Sequence, residues 1–97
     1  MSGIELEWDV TKAVANRAKH GVSFEEAATV FEDDSALLIP DPAHSKSEER
    51  FILLGMSNQA NLLVVVHCYR ESESVIRIIS ARKATRREYG QYAKHSP

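Results

Sequence analysis

The chain is poor in the residues that build covalent or metal frameworks. Its 97 residues include one cysteine, Cys68, so no intrachain disulfide can form, and a reducing compartment, the cytoplasm, is expected. Cys68 falls in an apolar stretch and reads as a small core hydrophobe. His20, His44, His67 and His95 are scattered and with Cys68 make no recognised metal-ligand spacing. No metal and no cofactor are expected. None of the four glycines forms a phosphate-cradling loop, and there is no nucleophile elbow. No apolar run approaches the ~20 residues of a membrane span. The start of the chain, 1–7, is short and acidic and carries no signal-peptide pattern. Repeats and low-complexity tracts are also missing. Such a length implies one domain, 1–97, near the lower end of common sizes. It can bury a single core but no large cavity, so an enzyme of this size works on a large substrate held at its surface.

What the chain does have is a strong charge asymmetry. From residue 76 onward there are six bases (Arg77, Arg82, Lys83, Arg86, Arg87, Lys94) and one acid, Glu88, a formal +5. The whole chain has 12 Lys+Arg and 14 Asp+Glu, so the first 75 residues hold 6 bases and 13 acids, a formal −7. The basic end suits a polyanion and the acidic part a cationic partner. The plainer reading is that the two halves attract each other within the fold.

Hydrophobic periodicity predicts the elements. Residues 5–8 form a short strand. Asp9 caps a helix over 10–19 with Val10, Ala13, Val14 and Arg17 on one face, and Gly21 ends it. Ser23 to Glu26 reads as a capping box for a helix whose apolar face is Phe24, Ala27, Ala28 and Phe31; Asp33 and Asp34 end it. A strand over 36–39 stops at Pro40 and Pro42, and a polar loop spans 41–49. Strands follow over 51–56, 62–69 and 75–81, separated by turns at 57–61 and 70–74. The run 62–66 is apolar on both faces, which places its strand in the centre of a sheet. Thr85 to Glu88 is a second capping-box pattern, opening a helix through about residue 93. Short connections between the later strands favour an antiparallel meander with helices against it, an α+β two-layer domain.

Several of these residues can carry chemistry. Arg77, in mid-strand, reads either as the partner of Glu48, Glu49 or Glu88 or as a phosphate clamp on an open sheet. His67 reads either as a hydrogen-bonded strand histidine or as a proton carrier. Asp41 and His44 share one loop. RNA cleavage needs little more than such groups. The substrate supplies its own 2′-hydroxyl as nucleophile, cations stabilise the phosphorane, and a side chain moves protons, with no metal obligatory. Arg77 and Arg82 are expected to stabilise the transition state, His67 to transfer a proton, and Lys83, Arg86 and Arg87 to hold the RNA backbone. One difficulty stands out. Strict period two sends Arg77 and Arg82 to opposite faces, so they meet one phosphate only if the strand twists or bulges near Ser80.

The sequence also resembles a known family. Leu6-Glu-Trp-Asp9, Lys12, Asn16, Lys19-His-Gly-Val22 and Phe24-Glu-Glu-Ala27 resemble the N-terminal signature of BrnT-type toxins. Glu49-Arg-Phe51, Gly55, Val64-Val-Val-His67 and Arg77-Ile-Ile-Ser-Ala-Arg82, with Ala84 and Glu88, resemble the remainder, in unbroken order to about Tyr92. The resemblance implies a RelE-like fold: an antiparallel sheet of about four to five strands, two N-terminal helices and a short C-terminal helix. It implies a ribonuclease toxin of a type II toxin–antitoxin module that inhibits translation and growth. Its partner would be a BrnA-type antitoxin that binds DNA, with operator DNA reached only through that antitoxin. The matching positions are His67, Arg77, Ser80, Arg82 and Glu88. An antitoxin segment is expected over 82–87; the alternative is a grip on the acidic N-terminal half. Another class of function with the same fold and partner is a non-catalytic co-repressor subunit. A general RNA-binding module fits less well, because the basic strand lacks interleaved aromatics for base stacking.

Overall fold

Two caps decide the course of the helical segment, residues 9–32. Asp9 accepts the Lys12 N–H at 3.0 Å and opens α1, Val10–His20. Gly21, at φ 71°, turns the chain out and donates its own N–H to Arg17 O, a left-handed end that costs glycine nothing. Ser23 then accepts the Glu26 N–H at 3.0 Å and opens α2, Phe24–Thr29, which tightens into a 3₁₀ turn at Val30–Glu32. The computed structural model describes residues 5–42, 48–70 and 74–95. His44, most of the expected loop 41–49 and the tip of the turn 70–74 lie outside the described residues.

The strands are β1 (Glu5–Glu7), β2 (Leu37–Pro40), β3 (Arg50–Met56), β4 (Leu62–Arg70) and β5 (Val75–Lys83), followed by α3 (Arg86–His95). They form one sheet in the order β1-β5-β4-β3-β2. β2 to β5 make the expected antiparallel meander, with β4 at the centre. β1 differs: it runs parallel to β5, pairing Glu5 with Val75 and Glu7 with Arg77. The sheet is therefore mixed. Two helices and three strands separate β1 from β5 along the chain, so no tight turn dictates an antiparallel pairing.

α1 and α2 cover one face of the sheet. Phe24, Ala27, Val30, Leu63, Val65, Ile78 and Ala81 fill the space between, each no more than 1% exposed. Trp8 stacks edge-on against Phe24 at 6.0 Å. The face that α1 buries differs from expectation. Asn16 and Ala13 turn inward, whereas Val10 and Val14 are 72% and 67% exposed. The backbone explains this. β1 ends at Glu7, so β5 has no strand beyond Arg77 on its β1 side, and Asn16 fills the gap. Its Nδ2 donates to Ala81 O at 2.9 Å and its Oδ1 accepts the Ala81 N–H at 3.1 Å. Two orphaned backbone groups outweigh two valines.

The opposite face carries a second, smaller cluster. Leu54, Leu62 and Val64 pack there with Leu37, Ile52, Met56, Ala84 and Tyr92. α3 thus lies against the far side of the sheet and covers one end of it, which is why β4 is apolar on both faces. Asp33 ties the two sides together at the β3 edge. It accepts the Met56 N–H at 2.8 Å and the Tyr92 hydroxyl at 2.7 Å. Burial pulls the Asp33 carboxyl up, but these bonds and that from Ser35 N–H outweigh it, so its pKa lies below the ordinary value. No helix among the described residues is long and apolar enough to cross a membrane.

Candidate functional site

One irregularity in β5 places the site. Cys68 pairs with Arg77 and His67 with Ile78, but Val66 pairs with Ser80, so Ile79 is an extra residue opposite the Val66–His67 step. A β-bulge of this kind resets the alternation. Before it, Arg77 points away from α1 and α2. After it, Ser80 and Arg82 point the same way, while Ala81 enters the helix-side core. The bulge near Ser80 that a shared face requires is present, and Arg77, Ser80 and Arg82 lie along one side of the sheet.

That side holds a cavity of about 310 Å³ lined by Asp41, Arg50, Ile52, Val64, Val66, Ile79, Ser80 and Arg82. Its construction follows from register. Ile52, Val66 and Ser80 are in line across β3, β4 and β5. Ile52, Val64 and Val66 give an apolar floor. Ser80 and Arg82 stand on the β5 side; Arg50 and Asp41 stand on the other, where Asp41 N–H bonds Arg50 O at 2.9 Å just beyond the end of β2. Arg50 and β5 are two strand spacings apart, roughly 10 Å.

Arg82 is held rigidly. Its two terminal nitrogens donate to the two oxygens of Glu88, each at 2.9 Å. Glu88 is itself fixed by a complete capping box at the start of α3. Its Oε1 accepts the Thr85 N–H at 2.8 Å, and Thr85 Oγ1 accepts the Glu88 N–H at 3.2 Å. The Arg82 guanidinium, burial notwithstanding, and the Thr85 bonds bring the Glu88 carboxyl down to about 2. The bond to Glu88 likewise pushes Arg82 up. Arg82 has five N–H donors. The described bonds number three, two to Glu88 and one to Lys83 O, which leaves capacity for a phosphate.

The other expected residues fall as follows. Arg77 lies on the Arg82 face beyond the cavity. Its Nε donates to Glu7 Oε2 at 3.1 Å, its neighbour on β1, rather than to Glu48, Glu49 or Glu88. Lys83, Arg86 and Arg87 are exposed, and no ion pair among the described residues engages them. His67 lies on the opposite face from Arg82. It is 0% exposed and packed edge-on against Phe31 at 4.9 Å and Tyr69 at 5.4 Å, with Phe51 at 6.1 Å. Burial lowers its pKa, with the Val65 carbonyl opposing. The structure therefore brings Arg77, Ser80 and Arg82 together and does not bring His67 to them. Cys68 is buried, 1% exposed, and burial raises its pKa. Arg50 had no place in the site expected from composition; it enters through the register of β3 against β4. Period two over 50–56, aligned with 62–68, would have found it.

Known proteins share both this sequence pattern and this shape. Residues 8–88 match the family model described as the ribonuclease toxin, BrnT, of type II toxin–antitoxin systems. The crystal structure of the Brucella abortus ribonuclease toxin, BrnT, superposes with a TM-score of 0.67 at 25% identity, covering 86% of this chain and 99% of that one. No curated protein sequence matches. A family match over most of the chain, together with a shared fold that includes the mixed five-stranded sheet, leaves one conclusion: the chain belongs to the BrnT family of type II toxin–antitoxin ribonuclease toxins.

Proposed function

We propose that this chain is an endoribonuclease that cleaves RNA by attack of the substrate's own 2′-hydroxyl, without a metal ion, on the face of the sheet away from α1 and α2. The observation that carries this reading is the bulge at Ile79, which sets Ser80 and Arg82 beside Arg50 around one cavity. Attack at phosphorus builds negative charge on the non-bridging oxygens. Two guanidinium groups carried by β3 and β5 on either side of the cavity meet that charge with little reorganisation. Ser80 adds a hydroxyl donor, and the apolar floor accommodates a ribose or base. Arg77, Arg86 and Arg87 continue the cationic track for the flanking backbone, while Lys83, paired with Leu63, leaves the strand on the other face and reaches RNA only around the end of β5. Residues on the other face, His67 among them, support the sheet rather than the reaction. A BrnA-type DNA-binding antitoxin neutralises the chain by covering this surface, and operator DNA is reached only through that partner.

The test is cleavage of a defined RNA by purified chain, with chelator and with added magnesium, and analysis of the new ends. Cleavage that survives chelator and leaves a 2′,3′-cyclic phosphate and a 5′-hydroxyl supports the reading. Cleavage abolished by chelator and restored by metal removes the metal-free mechanism. A folded chain that never cuts RNA, with or without ribosomes, favours the co-repressor function instead.

A further inference from the structure

We infer that Asp41 is the general base of the cavity, taking the proton from the attacking 2′-hydroxyl. The inference rests on the ribonuclease reading above. It begins from register. Leu37 and Ile39 pair with Leu54 and Ile52 on the α3 side of the sheet, and two residues further along the same alternation comes Asp41, opposite Arg50. Asp41 therefore lines the same cavity as Arg50, Ser80 and Arg82, with its side chain on their side of the sheet by this alternation.

Elimination strengthens the case. Glu88 and Asp33 do not line the cavity: Glu88 holds Arg82 and Thr85 N–H at the start of α3, and Asp33 accepts from Met56, Ser35 and Tyr92 at the far end of β3. His67 is on the opposite face. Glu48 sits outside the cavity lining, 3.7 Å from Arg50. Among the described residues, Asp41 is the acidic residue that lines the cavity, and a carboxylate within reach of the 2′-hydroxyl can serve as general base. The charged groups sharing the cavity with it are Arg50 from β3 and Arg82 from β5.

The step balances without a co-reactant. Asp41 accepts the 2′-hydroxyl proton as the 2′-oxygen forms its bond to phosphorus. The bond from phosphorus to the 5′-oxygen breaks, and that oxygen takes a proton from water. The hydroxide left behind removes the proton from Asp41. Nothing is oxidised or reduced.

The experiment is single-turnover cleavage of a short single-stranded RNA across the acid and neutral range by wild type, Asp41→Asn, Asp41→Glu and Arg82→Ala. Asp41→Asn is expected to lose ~10²–10⁴-fold in rate, with substrate affinity little changed, and to lose the acidic limb of the pH profile. Asp41→Glu keeps that limb and recovers much of the rate. It also reads the limb if Asp41→Asn melts below the assay temperature, and a limb that vanishes in Asp41→Glu then counts against the inference. If Asp41→Asn cuts at nearly the wild-type rate, or weakens affinity alone with the limb intact, Asp41 merely orients Arg50 and the inference falls. Loss of activity in Arg82→Ala in that same assay leaves the ribonuclease reading standing. If neither Asp41→Asn nor Arg82→Ala changes the rate, cleavage does not occur in this cavity and both fall.

Discussion

His67 Nδ1 lies 3.2 Å from the Val65 carbonyl. A carbonyl only accepts, so the proton sits on Nδ1 and the Nε2 lone pair is buried without a hydrogen-bond partner among the described residues. Protonating Nε2 there would bury a charge among Phe31, Phe51 and Tyr69. The unfolded chain binds that proton at about pH 6.5, and the folded chain resists it to lower pH. Between those two values the unfolded state holds more protons, so stability must fall as the pH drops below about 6.5. Urea melts at stepped pH should show this loss, and His67→Leu should flatten it. Asn16 is a second residue whose side chain does backbone work. Asn16→Ala strips partners from Ala81 N–H, Ala81 O and Val22 O. A loss of at least about 2 kcal/mol is expected by the same melts. In the proposed mechanism Arg82 stabilises the transition state. Arg82→Ala should slow cleavage by ~10²–10³-fold, and Arg82→Lys should rescue little, because an ammonium cannot reproduce a bidentate fork.

At the level of elements, legibility divides by the range of the interaction. The capped starts of α1, α2 and α3 and the central place of β4 could be read from the sequence because they depend on residues within a few positions of one another. The Ser23 box is only half made, however: Glu26 turns away to accept from Ser57 at 2.6 Å and Asn61 at 2.8 Å. The parallel direction of β1, the inward turn of Asn16 and the placement of α3 on the second face all depend on partners dozens of residues away. The bulge is legible only as a need, since Ile79 carries no residue type that marks it. Gly55 does carry one. A Cβ there would come within 2.8 Å of both Ala36 Cβ and Val30 Cγ1, so Gly55→Ala should cost about 1–3 kcal/mol through overpacking. α3 buries no residue fully, and the Tyr92–Asp33 bond and the Arg82–Glu88 pair help hold it. Breaking both with Glu88→Gln and Tyr92→Phe should raise hydrogen exchange across α3 while β4 stays protected.

On the scale of the whole molecule, the opposite charges of the two ends are largely left unspent. Of the described ion pairs, Arg77–Glu7 joins the basic end to the acidic part, whereas Arg82–Glu88 stays within the basic end. Lys83, Arg86, Arg87 and Lys94 remain exposed and available to a polyanion. RNA affinity should therefore fall linearly on a log–log plot against salt, with slope ≈ −0.7 per phosphate neutralised. Replacing Arg86 and Arg87 together by Ala should shallow that slope, checked by fluorescence anisotropy over a salt series. The antitoxin that type II membership implies is proposed above to cover this surface, and hydrogen exchange protection over 80–92 on binding would mark it. The parallel pairing of β1 with β5 has one more consequence. The first strand to be synthesised waits for the last: Glu5 meets Val75 and Glu7 meets Arg77 only after the helices and the other strands have been made. The ribosome, adding ~5–20 residues per second, thus carries an incomplete sheet until β5 has emerged. The face that holds Ser80 and Arg82 closes only then, so a nascent chain lacks the finished cationic surface while its first two helices are already made.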